Sequence, residues 1–170
     1  MNKVQILDCT LRDGGYYNNW DFNIEIIRKY IHAVQKAGVD YIELGFRTKN
    51  SSGYFGPLAY TTEDFIEELK INLPVKLGVM INCSDLMESR DLEKDIQSLF
   101  PLESKNSKLS LVRIACKYDE ISKAFNIAKC LKRAGYIVCI NLMQISSLKN
   151  KDIIEFGKYG KIESPDVLFI

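Results

Sequence analysis

At 170 residues, 46% hydrophobic and 26% charged, the chain has the composition of a globular protein with one sizeable core, which argues against disorder. Its 23 Lys and Arg are interspersed with 22 Asp and Glu for a net charge of +1, so no basic stripe marks a nucleic-acid partner. The apolar lead before Asp8 is too short for a secretory signal. The longest apolar run, 136–143, is interrupted by Asn141 and falls far short of the roughly 20 residues that span a bilayer. A cytoplasmic protein without a membrane partner is expected. Five cysteines, Cys9, Cys83, Cys116, Cys130 and Cys139, are odd in number and lack a C-x-x-C pair, which reads as reduced, mostly buried side chains.

Taken in chain order, residues 4–7 form the first apolar run, a buried strand. Directly after it, residues 7–16 bring Asp8, Arg12, Asp13, Gly14 and Gly15 together in what reads as an active-site loop. There the Asp after the Arg binds a divalent cation, its neighbour grips a substrate oxygen, and the glycines let backbone approach both. Ile24, Ile27, Ile31 and Val34 lie on one face of a helix that Gly38 ends. Residues 39–44 make the second strand. The stretch 46–61 has no period and carries Gly53, Gly56, Tyr54, Phe55 and Tyr60, which suits a lid over a small substrate or an irregular excursion packed on its own aromatics. Thr62 with Phe65, Ile66 and Leu69 makes a second helix, and strand 75–81 follows. Ser84 is the expected N-cap of a third helix running to about Leu99. Strand 109–115 precedes a fourth helix through Ile121, Ala124, Phe125, Ala128 and Leu131, closed by Gly135. Strand 136–142, a weaker helix at 148–159 and strand 167–170 complete the series.

Strands alternating with helices at spacings of roughly 25 to 35 residues imply right-handed βαβ crossovers and a parallel sheet. One strand parity is apolar. The other carries Asp8, Glu43, Arg47, Asn82, Arg113, Lys117 and Asn141 toward the C-terminal ends, as the mouth of a (β/α)8 TIM barrel would. The expected fold is therefore α/β, a (β/α)8 barrel incomplete over this chain, with about five βα units plus a sixth strand. Residues 1–170 are read as the N-terminal part of a single catalytic domain, because a whole barrel takes about 250 residues. Truncation of a longer protein is the preferred explanation, and a second chain supplying the missing wall is the other.

The segment Asp8-Cys9-Thr10-Leu11-Arg12-Asp13-Gly14 resembles the D-x-T-L-R-D-G signature of the HMG-CoA-lyase-like family, the DRE-TIM metallolyases. Val39-Asp40-Tyr41-Ile42-Glu43-Leu44-Gly45 is similar to the family's second strand. Val112-Arg113-Ile114-Ala115 and Asn141-Leu142-Met143-Gln144 look like segments of its aldolase branch, which cleaves 4-hydroxy-2-oxo acids to pyruvate and an aldehyde. The resemblance implies that Arg12 polarises the substrate carbonyl or enolate and that Asp13 ligates the metal, Mg2+ or Mn2+.

Independently of the family, a carbon–carbon bond broken beside a carbonyl leaves an enolate whose charge must meet fixed positive charge. Arg12 and Glu43 are the candidate catalytic residues, Glu43 orienting the guanidinium or reaching the metal's waters, unless it is simply balanced by Arg47 or Lys76. Arg113, Asn141, Gln144 and Tyr16 are the candidate substrate-binding residues, with Asn82 bordering the mouth. The family completes its metal site with an H-x-H pair on the seventh strand, whereas the one histidine here, His32, reads as a solvated surface residue. The aldolase branch also places a histidine base shortly after the D-G. Tyr16 and Tyr17 stand in that region, and a phenol with a pKa of about 10 is a poor base at neutrality.

The leading expectation is a metal-dependent aldolase for a small 2-oxo acid, working as a homo-oligomer. The alternatives are a Claisen-type acyltransferase joining acetyl-CoA to a 2-oxo acid, against which Gly-Gly-Tyr stands in place of Gly-Glu-Gln, and a non-catalytic truncated barrel with a binding or assembly role.

Overall fold

A computed structural model describes residues 4–49, 52–72, 74–163 and 165–169. The chain divides into two compact units, Met1–Met80 with Ser107–Ser110, and Ile81–Asn106 with Leu111–Ile170.

In the first unit the elements run β1 (Leu7–Asp8), α1 (Thr10–Asn18), α2 (Ile24–Lys36), β2 (Tyr41–Phe46), α3 (Pro57–Tyr60), α4 (Glu63–Glu68) and the start of β3 (Lys76–Asn82). β2 lies parallel between β1 and β3, in the registers Leu7↔Tyr41 and Ile42↔Leu77, so neighbours in sequence are neighbours in the sheet. Local chemistry sets the helix ends. The Asn23 side chain accepts the Glu25 amide at 2.9 Å to start α2, and Gly38, at φ +82°, takes the left-handed turn past its end. The expected second helix is α4, and Thr62 stands at its N-cap, where its side chain accepts the Phe65 amide at 3.3 Å.

The first strand is shorter than its apolar run. Val4 and Ile6 are exposed, and the Ile6 amide donates to the Asp40 carboxylate at 2.9 Å while the Ile6 carbonyl accepts from the amides of Asp40 and Tyr41. An acidic residue one place before a strand thus clamps the entrance of its neighbour. The device recurs in the second unit, where Asp166 accepts the Val138 amide at 2.8 Å and donates its own amide to the Val138 carbonyl at 2.9 Å.

Within the stretch 46–61, α3 presses on β2 so closely that a Cβ on Gly45 would sit 1.9 Å from the Leu58 carbonyl oxygen. Residues 54–56 are fastened beside α1. The Gly56 amide donates to the Asn19 carbonyl at 2.8 Å, the Tyr54 hydroxyl to Asp21 at 3.0 Å, and Phe55 lies 6.1 Å from Trp20. Asn50 and Ser51 of the expected lid lie outside the described residues.

The second unit carries α5 (Leu92–Leu99), most of β4 (Leu109–Cys116), α6 (Ile121–Arg133), β5 (Ile137–Leu142), α7 (Asn150–Glu163) and β6 (Val167–Phe169). β5 pairs in parallel with both β4 and β6, again in sequence order. Ile170, the last residue of the expected sixth strand, lies outside the described residues. The third helix departs from expectation. Ser84 belongs to a 3-10 turn, Cys83–Leu86, and the helix starts later because the Asp91 carboxylate accepts the Lys94 amide at 3.1 Å. α6 buries Ala124, Ile127, Ala128 and Leu131 along one stripe, and Gly135 turns at φ +85°. None of the five cysteines forms a disulfide, and burial pushes the thiols of Cys83 and Cys116 up to about 12, which keeps them protonated and unreactive at neutral pH.

Candidate active site

The segment read as a loop after the first strand is the helix α1, entered directly from β1. Cys9 occupies the N-cap without a capping side-chain bond. The work is done by Asp8, whose carboxylate accepts the Thr10 amide at 3.1 Å and the Thr10 hydroxyl at 3.0 Å. Tyr30 of α2 adds a third donor, its hydroxyl lying 2.6 Å from Asp8 Oδ1. Thus the first and third residues of the D-x-T-L-R-D-G signature open the helix, and its later residues line it.

Burial and then the bond to Asp8 push the Tyr30 phenol up to about 12. A phenol that ionises near 10 when unfolded and near 12 when folded stabilises the protein fully below pH 10, and that stability is lost as the pH rises from 10 through 12. Chemical denaturation of the parent and of Tyr30→Phe across that window checks this. The parent should lose stability more steeply, and equal slopes would remove Tyr30 from the linkage.

Gly15 has a packing task that its sequence context does not reveal. Gly15 lies inside α1, and a Cβ there would come within 2.0 Å of Trp20 Cδ1, so its bare surface seats the indole. Trp20 then donates its ring N–H to the Arg12 carbonyl at 2.9 Å and meets Phe46 edge-on at 5.4 Å. This docks α1 on the end of β2.

Docking brings Arg12 to Glu43. The guanidinium donates through Nε to Glu43 Oε1 at 2.8 Å, and Nη1 lies 2.6 Å from Asp13 Oδ1. Glu43 is fully buried in β2, whereas the Arg12 side chain keeps 13% of its surface and that of Asp13 keeps 60%. Burial alone would lower the Arg12 pKa, but the Glu43 bond and the charges of Glu43 and Asp13 outweigh it and hold the guanidinium above its ordinary value. It is a permanent, oriented cation. The other sequence-level partner for Glu43, Arg47, sends its Nη2 to Glu63 at 2.7 Å and its Nε to the Thr61 carbonyl at 3.0 Å.

Tyr16 stands one helical turn beyond Arg12, 62% exposed, with its ring edge-on to Trp20 at 4.8 Å. Tyr17 is 95% exposed. Arg12, Asp13, Tyr16 and Glu43 are therefore gathered in the first unit. Arg113, Asn141 and Gln144 belong to the second. There Arg113 is buried on β4 with its guanidinium 4.9 Å above the Phe169 ring, Asn141 is half-buried on β5, and Gln144 is exposed in a left-handed conformation at φ +58°. Asn82 is half-buried at the end of β3, while Lys117, one residue past β4, is exposed. The sequence reading missed Tyr30, Trp20 and Phe46. Trp20, the one tryptophan, was the visible signal, eight residues past Arg12 on a segment without an apolar period.

Among the described residues no three His, Cys, Asp or Glu side chains group as a metal would need. Asp13 supplies one carboxylate, already paired with Arg12, and His32 is exposed on α2. These residues do not by themselves form a coordination sphere for Mg2+ or Mn2+.

No family model matches the chain. A 4-hydroxy-2-oxovalerate aldolase of Geobacillus genomosp. 3 is 26% identical over 98% of this chain and 48% of its own length. One from Pelotomaculum thermopropionicum is 26% identical over 99% and 48%. An oxaloacetate decarboxylase of Mycobacterium tuberculosis is 31% identical over 53% of this chain and 28% of its own. The crystal structure of the N-terminal domain of a protein assigned as an aldolase from Bacteroides vulgatus superposes with a TM-score of 0.81 at 33% identity, covering 97% of this chain and 53% of that one. The chain is homologous to the DRE-TIM aldolases. As such a homologue it has the fold class of an incomplete α/β barrel, six parallel strands with their helices. The chain spans about half the length of the curated aldolases it matches. Among the described residues, no helix of this DRE-TIM homologue is long and apolar enough to cross a membrane.

Proposed function

We propose that the full-length protein is a carbon–carbon lyase that forms a pyruvate enolate, cleaving the C3–C4 bond of a 4-hydroxy-2-oxo acid. In that reaction the 4-hydroxyl gives up its proton and the C3–C4 electron pair passes into the C2 carbonyl as an enolate. The aldehyde departs, and C3 then takes a proton to give pyruvate. The observation that carries this reading is the state of Arg12, pinned at Nε by a buried carboxylate and at Nη1 by Asp13, with part of its side chain still open to solvent. A guanidinium so oriented meets developing negative charge without having to reorganise. Glu43 acts through Arg12 as a positioning residue. Asp13 stays in the reading as one ligand of a divalent cation, Mg2+ or Mn2+, and no step is assigned to that ion.

A second reading has one specific support, the 31% match to an oxaloacetate decarboxylase. Loss of carbon dioxide from oxaloacetate breaks the corresponding C3–C4 bond and leaves the same enolate, with no hydroxyl proton to remove. It uses Arg12 in the same way and asks nothing of Tyr16 or Tyr17 as bases.

The test is to incubate the full-length protein, with Mg2+ or Mn2+ present, with 4-hydroxy-2-oxovalerate and separately with oxaloacetate. Pyruvate together with an aldehyde from the first supports the aldolase, and pyruvate from the second alone supports the decarboxylase. Pyruvate from neither overturns the proposal.

A further inference from the structure

Resting on the lyase reading above, we infer that the substrate carries an apolar tail beyond C4, and that Tyr16, held by Trp20 and Phe46, is the residue that selects it.

The argument begins with spacing on α1. Residues four apart on a helix share a face and stand about 6 Å apart along its axis, so Tyr16 lies beside Arg12 and one turn away. Phe46, the last residue of β2, touches both, with the Arg12 guanidinium carbon 5.9 Å and the Tyr16 ring 6.2 Å from its ring centre. Trp20 closes the group, meeting Tyr16 at 4.8 Å and Phe46 at 5.4 Å, both edge to face. Each ring therefore constrains the next, and Trp20 is itself tied to the Arg12 carbonyl and seated on Gly15.

The consequence is an aromatic ring that is ordered yet 62% exposed, next to a cation that keeps 13% of its side-chain surface. An apolar ring held in water by its neighbours gains by being covered, at roughly 25 cal/mol for each Å2 removed from solvent. A substrate whose C2 oxygen rests on Arg12 extends past C4 in the direction of such a ring. The methyl group of 4-hydroxy-2-oxovalerate has little surface with which to cover such a ring, whereas a tail of several carbons or an aryl group has enough. The surroundings also choose the tail's polarity. An exposed ring gains from covering by apolar surface and gives a charged tail nothing in exchange for its lost hydration.

The experiment measures kcat/KM of the full-length protein for 4-hydroxy-2-oxo acids bearing a methyl, a propyl or a phenyl group at C4, for the parent, Tyr16→Phe and Tyr16→Ala. The parent is expected to favour the longer tails over methyl by about 10-fold or more. Tyr16→Phe should keep that preference, because the ring contacts remain. Tyr16→Ala should erase it, mainly by raising KM for propyl and phenyl. Exchange of the C3 protons of pyruvate into deuterated water reports enolate formation with no tail present. If the parent exchanges those protons but shows no tail preference, or keeps its preference in Tyr16→Ala, this inference is overturned and the lyase reading stands. A parent that neither exchanges nor cleaves overturns both.

Discussion

Arg12→Ala is expected to lower pyruvate formation by about 10²–10³-fold or more in the full-length protein, the range seen when one donor to a developing oxyanion is removed. The loss should appear in kcat, because the guanidinium meets charge that arises only as the bond breaks. Stability is also expected to fall. Without Arg12, Glu43 is left as a fully buried carboxylate deprived of its 2.8 Å cation, and breaking one side of a buried pair costs about 3–5 kcal/mol. The double variant Arg12→Ala/Glu43→Leu separates the two effects. Its melting temperature should recover toward that of the parent, since an apolar side chain suits the interior of β2, while catalysis stays lost. If the double variant regained activity together with stability, Arg12 would be a structural counter-ion and no more.

The second large effect is expected at Gly15. Gly15→Ala places a methyl group 2.0 Å from Trp20 Cδ1, so the indole must leave its seat and its bond to the Arg12 carbonyl must break. Overpacking of this kind costs about 1–3 kcal/mol, and the lost hydrogen bond adds about 1. The neighbouring glycine is the control. A Cβ on Gly14 meets Phe22 Cζ at 3.5 Å, an ordinary contact inside a helix, so Gly14→Ala should be neutral or stabilising by up to about 1 kcal/mol. In thermal melts Gly15→Ala should fall below the parent and Gly14→Ala should not. Similar losses in both would mean that the glycines serve the conformation of α1 rather than the packing of Trp20.

Those two glycines also show where reading from sequence turns misleading. A Gly-Gly pair has poor helix propensity, and beside Arg and Asp it reads as a loop. In the folded chain the same pair is helical, because Asp8 organises the first turn and Trp20 covers the last one. Tyr30, which steadies Asp8 across 22 positions, was out of reach of any local rule. The start of α5 was misjudged for a related reason. Ser84 and Asp91 are both good caps, and local pattern cannot rank two acceptable caps seven residues apart.

What the amino-acid order determined unaided was the series of six strands, the presence of α2, α4, α6 and α7 between them, the glycines that close α2 and α6, and the signature that carries Arg12 and Asp13. Each depends on hydrogen bonds and apolar periods that act within a turn or two of chain, so the relevant residues stand close together in the sequence. Tertiary structure alone decided that Arg12 bonds Glu43 across 31 positions, that Gly15 is a seat for an indole, and that Tyr16 is held exposed by Trp20 and Phe46. Those contacts follow from the docking of α1 onto β2, in the register Leu7↔Tyr41, and a register is a property of two segments brought together rather than of either one.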